Sequence, residues 1–362
     1  MKRFSIILVL TSILALSLSA VPSLTSFRPL EREYRAMGES GMSLKGSSKG
    51  FSVNPAALST DRFSLILPSV SLGVGSFYDI MGLPFDEIMK GELGAVSEIL
   101  TKLTGFIPLL DAQLSSSLVL HGFGFSIDGD LAVYSLGEGL STGLVPCLKT
   151  GTTFGYGHRF SLTPSLDLEA GIVAHNTSFF YSTPIDINLA LDLVLQDMEN
   201  LNFSFAKTSL FFDVGTTLRS SSGFSAALSA NGIGGSFTSR DVVKDETVTL
   251  YPEFSLDAGV GWERVFWSWL GLKAALDIKD ITGLFSDLSF SELLFHMNMG
   301  MKLNLTKGLG LMCGLKGGYP SFGLDLKLFF IDLSLLYTTD EYSEKMGYNP
   351  RDTLSVLVGL EF

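Results

Sequence analysis

Gly139-Leu140-Ser141-Thr142-Gly143 has the G-x-S-x-G spacing of a serine nucleophile elbow. That chemistry needs a sharp strand-to-helix turn to present the serine hydroxyl. The residues on either side alternate like strands and no helical run follows, so acyl transfer is not expected. His121, His158, His175 and His296 fall in separate strand-like segments without metal-ligand spacing. Cys147 and Cys313 make neither a CxxC pair nor a disulfide framework. There is no P-loop and no dinucleotide fingerprint. The sequence therefore predicts no enzyme, no catalytic residue, no metal site and no cofactor. A net charge of −12 argues against nucleic acid as a partner, because phosphates need a basic surface. What remains is binding chemistry. Lys149, Arg219, Lys273, Lys302 and Lys327 stand on polar strand faces. They can meet a ligand carboxylate or pair with acids such as Asp167, Asp213, Asp257 and Asp325.

The elements that hold these charges read as an all-β, transmembrane antiparallel β-barrel of about fourteen strands with an N-terminal plug segment. Hydrophobic residues make up 46% of the chain, yet only one long apolar run exists, at the N-terminus. Lys2 and Arg3, the apolar stretch Phe4 to Leu18, and Leu18-Ser19-Ala20 resemble a cleaved secretory signal over 1–20. Elsewhere the apolar residues alternate. Phe254, Leu256, Ala258, Val260 and Trp262 oppose Ser255, Asp257, Gly259 and Gly261; Met297, Met299, Met301, Leu303 and Leu305 oppose His296, Asn298, Lys302 and Asn304. Charges keep to one face, as lipid requires: a Lys or Arg facing lipid at mid-membrane costs about 2–4 kcal/mol.

The pattern predicts strands over 62–77, 113–127, 129–137, 144–158, 162–177, 207–219, 223–235, 252–263, 267–279, 293–305, 308–318, 320–328, 330–339 and 352–362. Asp128-Gly129, Ser222-Gly223 and Lys307-Gly308 suit tight hairpins, 159–162 and 264–266 are short connections, and Leu328-Phe329-Phe330 a turn. Short turns alternate with long connections, as in bacterial barrels with short turns in the periplasm and long loops outside. In the first long loop Ile88, Met89, Val96, Ile99, Leu100 and Leu103 recur at helical spacing. Ile185 to Met198 reads as strand or helix.

Before the first strand lie Arg35-Ala36-Met37-Gly38-Glu39-Ser40-Gly41, Ser47 to Phe51 and Asn54-Pro55-Ala56-Ala57-Leu58. These residues resemble the N-terminal segment of the FadL-like family of outer-membrane long-chain fatty-acid transporters. In that family a small-residue run precedes an Asn-Pro-Ala signature and the segment plugs a fourteen-stranded barrel. The resemblance implies a plug over 21–61, with Gly38, Gly41, Asn54, Pro55 and Ala56 at its gate, and a barrel over 62–362. This chain departs from the pattern in having fewer Gly and Ala, in the basic Lys45 and Lys49, and in its compact loops. Read without the resemblance, Asn54-Pro55 is a turn before the first strand.

Leu354, Val356, Val358, Leu360 and Phe362 make one apolar face of the final segment. An aromatic ending an alternating strand is similar to the signal read by the outer-membrane barrel-assembly machinery, here Val358, Leu360 and Phe362. The expected function is passive uptake of hydrophobic small molecules, such as long-chain fatty acids, across the outer membrane. The loop helix at Ile88 to Leu103 would collect the ligand. Expected partners are outer-membrane lipid, the ligand and the assembly machinery. The competing expectation is a non-transporting surface or secretion-assembly barrel.

Overall fold

The computed structural model describes residues 32–45, 50–60, 63–81, 107–136, 143–182, 185–186, 203–208, 210–241, 246–250, 254–267, 269–285, 289–342 and 347–362. Fourteen antiparallel strands close into a barrel. They are β1 Ser64–Gly75, β2 Ile107–Leu120, β3 Phe123–Leu136, β4 Gly143–Thr163, β5 Leu166–Ser182, β6 Phe211–Ser220 and β7 Phe224–Ile233. Then come β8 Ser255–Trp267, β9 Leu270–Ile278, β10 Met297–Asn304, β11 Leu309–Lys316, β12 Tyr319–Leu328, β13 Ile331–Glu341 and β14 Pro350–Glu361. Closure is direct: β1 pairs with β2 (Leu72↔Ala112) and with β14 (Leu72↔Val356). Four short strands, Ile185–Asp186, Phe203–Thr208, Phe237–Asp241 and Glu246–Leu250, extend the sheet beyond the ring at β4 and β5. Ile185–Asp186 opens the segment that reads as strand or helix; the alternation did not reveal the other three as separate strands.

Burial is inverted relative to a protein folded in water. Leu72, Phe125, Phe154, Leu228, Val260 and Val356 are exposed, while Asp213, Asp257, Asp277, Lys302 and Ser355 are buried. Lys302 is 7% exposed and its neighbour Met301 43%. An apolar exterior around a polar interior is what a hydrocarbon solvent selects, and a closed ring leaves no unpaired strand edge within it. No helix among the described residues is long and apolar enough to cross a membrane; the strands cross it.

The expected turns hold at Ser222-Gly223 and at Phe329-Phe330, where Phe329 takes φ 57. Two others move. The β2–β3 hairpin turns at His121-Gly122, both with positive φ (47 and 87), seven residues before Asp128-Gly129. Asp128 and Gly129 instead lie within β3, where Asp128 accepts hydrogen bonds from Ser115 and Ser126. An Asp-Gly pair favours a turn locally, but the two serine hydroxyls satisfy the aspartate in an extended strand. The β4–β5 connection falls at Pro164-Ser165 rather than 159–162, because β4 runs on to Thr163. Residues 293–296, expected as strand, complete a helix, Phe290–His296, whose Ser289 cap accepts from Glu292 N. His296 therefore ends a helix rather than sitting on a strand. Residues 82–106, 137–142 and 187–202 lie outside the described residues, and with them Ile88, Met89, Val96, Ile99, Leu100, Leu103 and Ser141, as does the signal-like stretch 1–20.

Candidate functional site

The inner wall meets a second object, the chain before β1. Its described residues are α1 (Arg32–Ala36), a turn through Gly38 and Gly41, and two 3-10 turns, Gly50–Ser52 and Pro55–Leu58. Glu39 also adopts positive φ, at 54. Asn54 caps the second 3-10 turn from extended backbone, its Oδ1 accepting from Ala56 N at 3.0 Å, with Pro55 in the first position. Both are the residue types that start such a turn at least cost.

Residues 33–45 are tied to the wall by charge. Glu33 bonds Lys273 of β9 at 2.6 Å and Lys302 of β10 at 2.9 Å; Lys302 also reaches Asp325 of β12 at 2.8 Å. Burial by itself would raise the Glu33 carboxyl, but the two ammonium groups outweigh it and hold it at about 2. Arg35 stands 3.6 Å from Asp111 of β2. Glu39 bonds Lys316 of β11 at 2.7 Å, and Lys316 pairs as well with Asp340 of β13. The amides of Gly41 and Met42 donate to Asp277 of β9 at 2.8 and 3.0 Å. Arg219 of β6 donates to the Ser43 carbonyl and Lys273 to that of Lys45.

Residues 50–59 are held by fit. Asn54 Nδ2 donates to Met42 O at 2.9 Å and to Thr217 Oγ1 of β6 at 3.0 Å. A Cβ on Gly215 of β6 would lie 1.9 Å from Asn54 Oδ1, and one on Gly171 of β5 would lie 2.1 Å from Pro55 O. The wall can pass this close to the Asn-Pro pair only because those two positions are glycine. Ser59 Oγ donates to the carbonyls of His158 (2.9 Å) and Ala170 (3.2 Å).

Between segment and wall lie two apolar clusters, Ala36, Met37 and Leu44 with Met312 and Leu336, and Phe51 and Leu58 with Val119 and Val173. Met312, Leu336, Val119 and Val173 point inward, against the prevailing polarity of that face. The sequence reading did not single them out. The signal was present: Leu336, for example, sits in phase with the inward Ser334 and Thr338.

Gly38, Gly41, Asn54, Pro55 and Ala56 all come to this interface. A Cβ on Gly38 would lie 2.6 Å from the Leu315 backbone, and Ala56 is wholly buried. Val358 and Phe362 are elsewhere, exposed on the outside. Phe362 stacks on Phe330 with centroids 5.9 Å apart, and its backbone exchanges hydrogen bonds with Leu65 at the β1–β14 seam. The inward cations find acids: Lys149 with Asp130, Arg219 with Glu169, Lys327 with Asp332 and Glu361. His175 lies between Thr153 Oγ1 (2.9 Å) and Asp213 Oδ2 (3.0 Å), in nucleophile-base-acid order. All three are buried, with Phe211 stacked on the imidazole, which suits a tie between strands rather than turnover. His158 faces outward between Tyr156 and Phe160.

No protein-family model and no curated protein matches the sequence. Solved barrels similar to this chain include the toluene transporter TodX of Pseudomonas putida (10% identity over 94% of this chain and 99% of that one, TM-score 0.49). The toluene transporter TbuX of Ralstonia pickettii is 12% identical over 93% and 98%, with TM-score 0.44. A FadL homologue of Pseudomonas aeruginosa is 11% identical over 91% and 96%, with TM-score 0.47. At these values the likeness adds nothing to the fold, which stands on its strand pairing.

Proposed function

We propose that this protein is an outer-membrane channel for the passive uptake of hydrophobic small molecules, with residues 32–60 as its movable plug. One observation carries the reading: apolar surface is buried between segment and wall in an otherwise polar lumen. A polar lumen that served only to hold water would need none. When the segment shifts, Met312, Leu336, Val119 and Val173 become an apolar path for cargo that polar walls would reject. The cargo class spans long-chain fatty acids and small aromatic hydrocarbons, and the loop residues Ile88 to Leu103 would gather it. Val358, Leu360 and Phe362 would present the face recognised by the barrel-assembly machinery.

The second reading, a non-transporting surface or secretion-assembly barrel, is favoured by how closely the segment packs. The gap among Glu33, Met37, Met42 and Val53 is about 20 Å³, room for about one water. Conductance separates the two. Deleting 27–49 is expected to raise single-channel conductance in planar bilayers while the barrel stays folded. Cells lacking the protein are expected to take up labelled oleate or toluene more slowly. Unchanged conductance together with unchanged uptake would leave the anchor reading standing.

A further inference from the structure

The rim with the short turns holds a cavity of about 460 Å³. Residues 32–45 form part of its ceiling, through Lys45. Its charged lining is Lys45, Arg219, Arg264 and Lys273 against Asp167 and Glu263, with Glu169 and Glu33 pairing Arg219 and Lys273 from beside it and Arg264 over the Phe266 ring. Two of the cations are committed to the segment. Arg219 Nη2 holds the Ser43 carbonyl at 3.1 Å, and Lys273 holds Glu33 and the Lys45 carbonyl. Neither Lys45 nor Arg264 has a carboxylate partner among the described residues. Arg219 adds an independent sign. Its Nε and Nη2 are satisfied by Glu169, but Nη1 is buried and makes no hydrogen bond, the Glu263 carboxylate standing 3.6 Å away. A buried guanidinium N–H without a hydrogen-bond acceptor is costly to leave unmet, and an oxyanion that takes the place of the Glu263 carboxylate beside it would satisfy it. Beside these charges Val265 offers an apolar wall, 74% exposed.

The geometry points to this cavity as a binding site for an amphiphilic oxyanion, a carboxylate or phosphate head with a short alkyl tail. The head bonds Arg219 Nη1 and Lys45, and the tail lies on Val265. Because Arg219 and Lys273 also grip the carbonyls of Ser43 and Lys45, an anion that draws either cation toward itself loosens the segment. The site is thus coupled to the plug from the side opposite the long loops. It does not rest on transport, since a barrel that served only as an anchor would hold the same site.

Two sources supply this chemistry, a free amphiphile such as octanoate and the head of an anionic lipid. The full chain in nanodiscs would be titrated with octanoate, octyl phosphate and 1-octanol by calorimetry, in discs of phosphatidylcholine with and without phosphatidylglycerol. Octanoate and octyl phosphate are expected to bind once per chain, at least about tenfold more tightly than octanol, the scale of one charge-assisted bond. Lys45→Gln, on an exposed side chain, should weaken both anions about fivefold and leave octanol unchanged, with Lys45→Arg restoring them. Arg219→Lys should weaken them further. Bound anion should speed hydrogen exchange at residues 41–45. Competition by phosphatidylglycerol would assign the anion to a lipid head; equal binding in both discs would assign it to the free amphiphile. Octanol binding as tightly as octanoate, no anion binding, or unchanged affinity in Lys45→Gln would each overturn the site.

Discussion

The two halves of the segment inside the barrel are held by different physics. Residues 33–45 are fastened mainly by long side chains and charge: Glu33 to Lys273 and Lys302, Arg35 to Asp111, Glu39 to Lys316. Residues 50–59 are fastened by steric fit, with Asn54 and Pro55 against Gly215 and Gly171. Ion pairs on flexible stems can re-form after a shift of several ångströms; a backbone seated on glycine cannot. The first half also rests on wall glycines, with Gly300 and Gly314 against the Met37 backbone, so what sets it apart is the layer of ion pairs added to that fit.

Gly215→Val should have the largest effect. Its Cβ would collide with Asn54 Oδ1 at 1.9 Å and Pro55 Cδ at 2.8 Å. Refolding into detergent is expected to give either no heat-modifiable barrel or one cleaved by protease within 50–60. Gly151→Ala is the control, since its nearest neighbour is Thr177 Oγ1 at 3.4 Å. Equal tolerance of the two would mean that the second half is not seated on the wall.

Asn54→Ala should follow. It removes the cap on Ala56 N and the donors to Met42 O and Thr217 Oγ1, together about 2–4 kcal/mol of local stability. Hydrogen exchange at 54–59 should speed up by more than tenfold. Asn54 also joins the two halves through Met42, so a lesser rise at 41–44 is expected; no rise there would show the halves to be independent.

Glu33→Gln tests the charged half. It leaves Lys273 and Lys302 facing each other without the carboxylate between them. Glu33 is partly buried, so the expected loss is about 1–3 kcal/mol, less than for a fully buried pair. Exchange should rise at 33–44 and stay unchanged at 54–59. A rise at 54–59 as large as at 33–44 would erase the distinction.

Much of the wall was legible in the sequence, because lipid outside and polar groups inside impose a period of two on every strand. The β14 pattern of Leu354, Val356, Val358 and Leu360 outward is reproduced, and so is the opposition of Met301 to Lys302. Legibility failed where a local preference met a distant partner. Asp128-Gly129 favoured a turn, but Ser115 and Ser126 supply donors across and along the sheet. The alternation places glycines such as Gly259 and Gly261 on the polar face but does not say what they meet. That Gly171 and Gly215 seat Pro55 and Asn54 depends on contacts over more than a hundred residues, which periodicity does not encode. The apolar Leu336 and Val173 stand in phase with that polar face, so their inward direction was legible and only the partner they meet was not. The four short strands beyond the ring carry too few residues each to show a period.

Salt should have the smallest effect, and it separates charge from fit most cleanly. The Debye length falls from about 10 Å at 0.1 M to about 3 Å at 1 M salt. The Glu33 contacts, at 2.6 and 2.9 Å, are shorter than even the latter, and their side chains are no more than 19% exposed. Screening therefore cannot dissolve them. What it weakens is the longer attraction that brings a displaced segment back, such as Arg35 toward Asp111 at 3.6 Å. Raising KCl from 0.1 to 1 M should speed exchange at 33–44 by a few-fold at most and leave 54–59 as it was. In Glu33→Gln the salt response at 33–44 should shrink, since one of its charges has gone. If salt accelerates both halves alike, the segment moves as one body. If neither half responds in the parent chain, the ion pairs set position without contributing measurably to retention, and steric fit alone holds the segment.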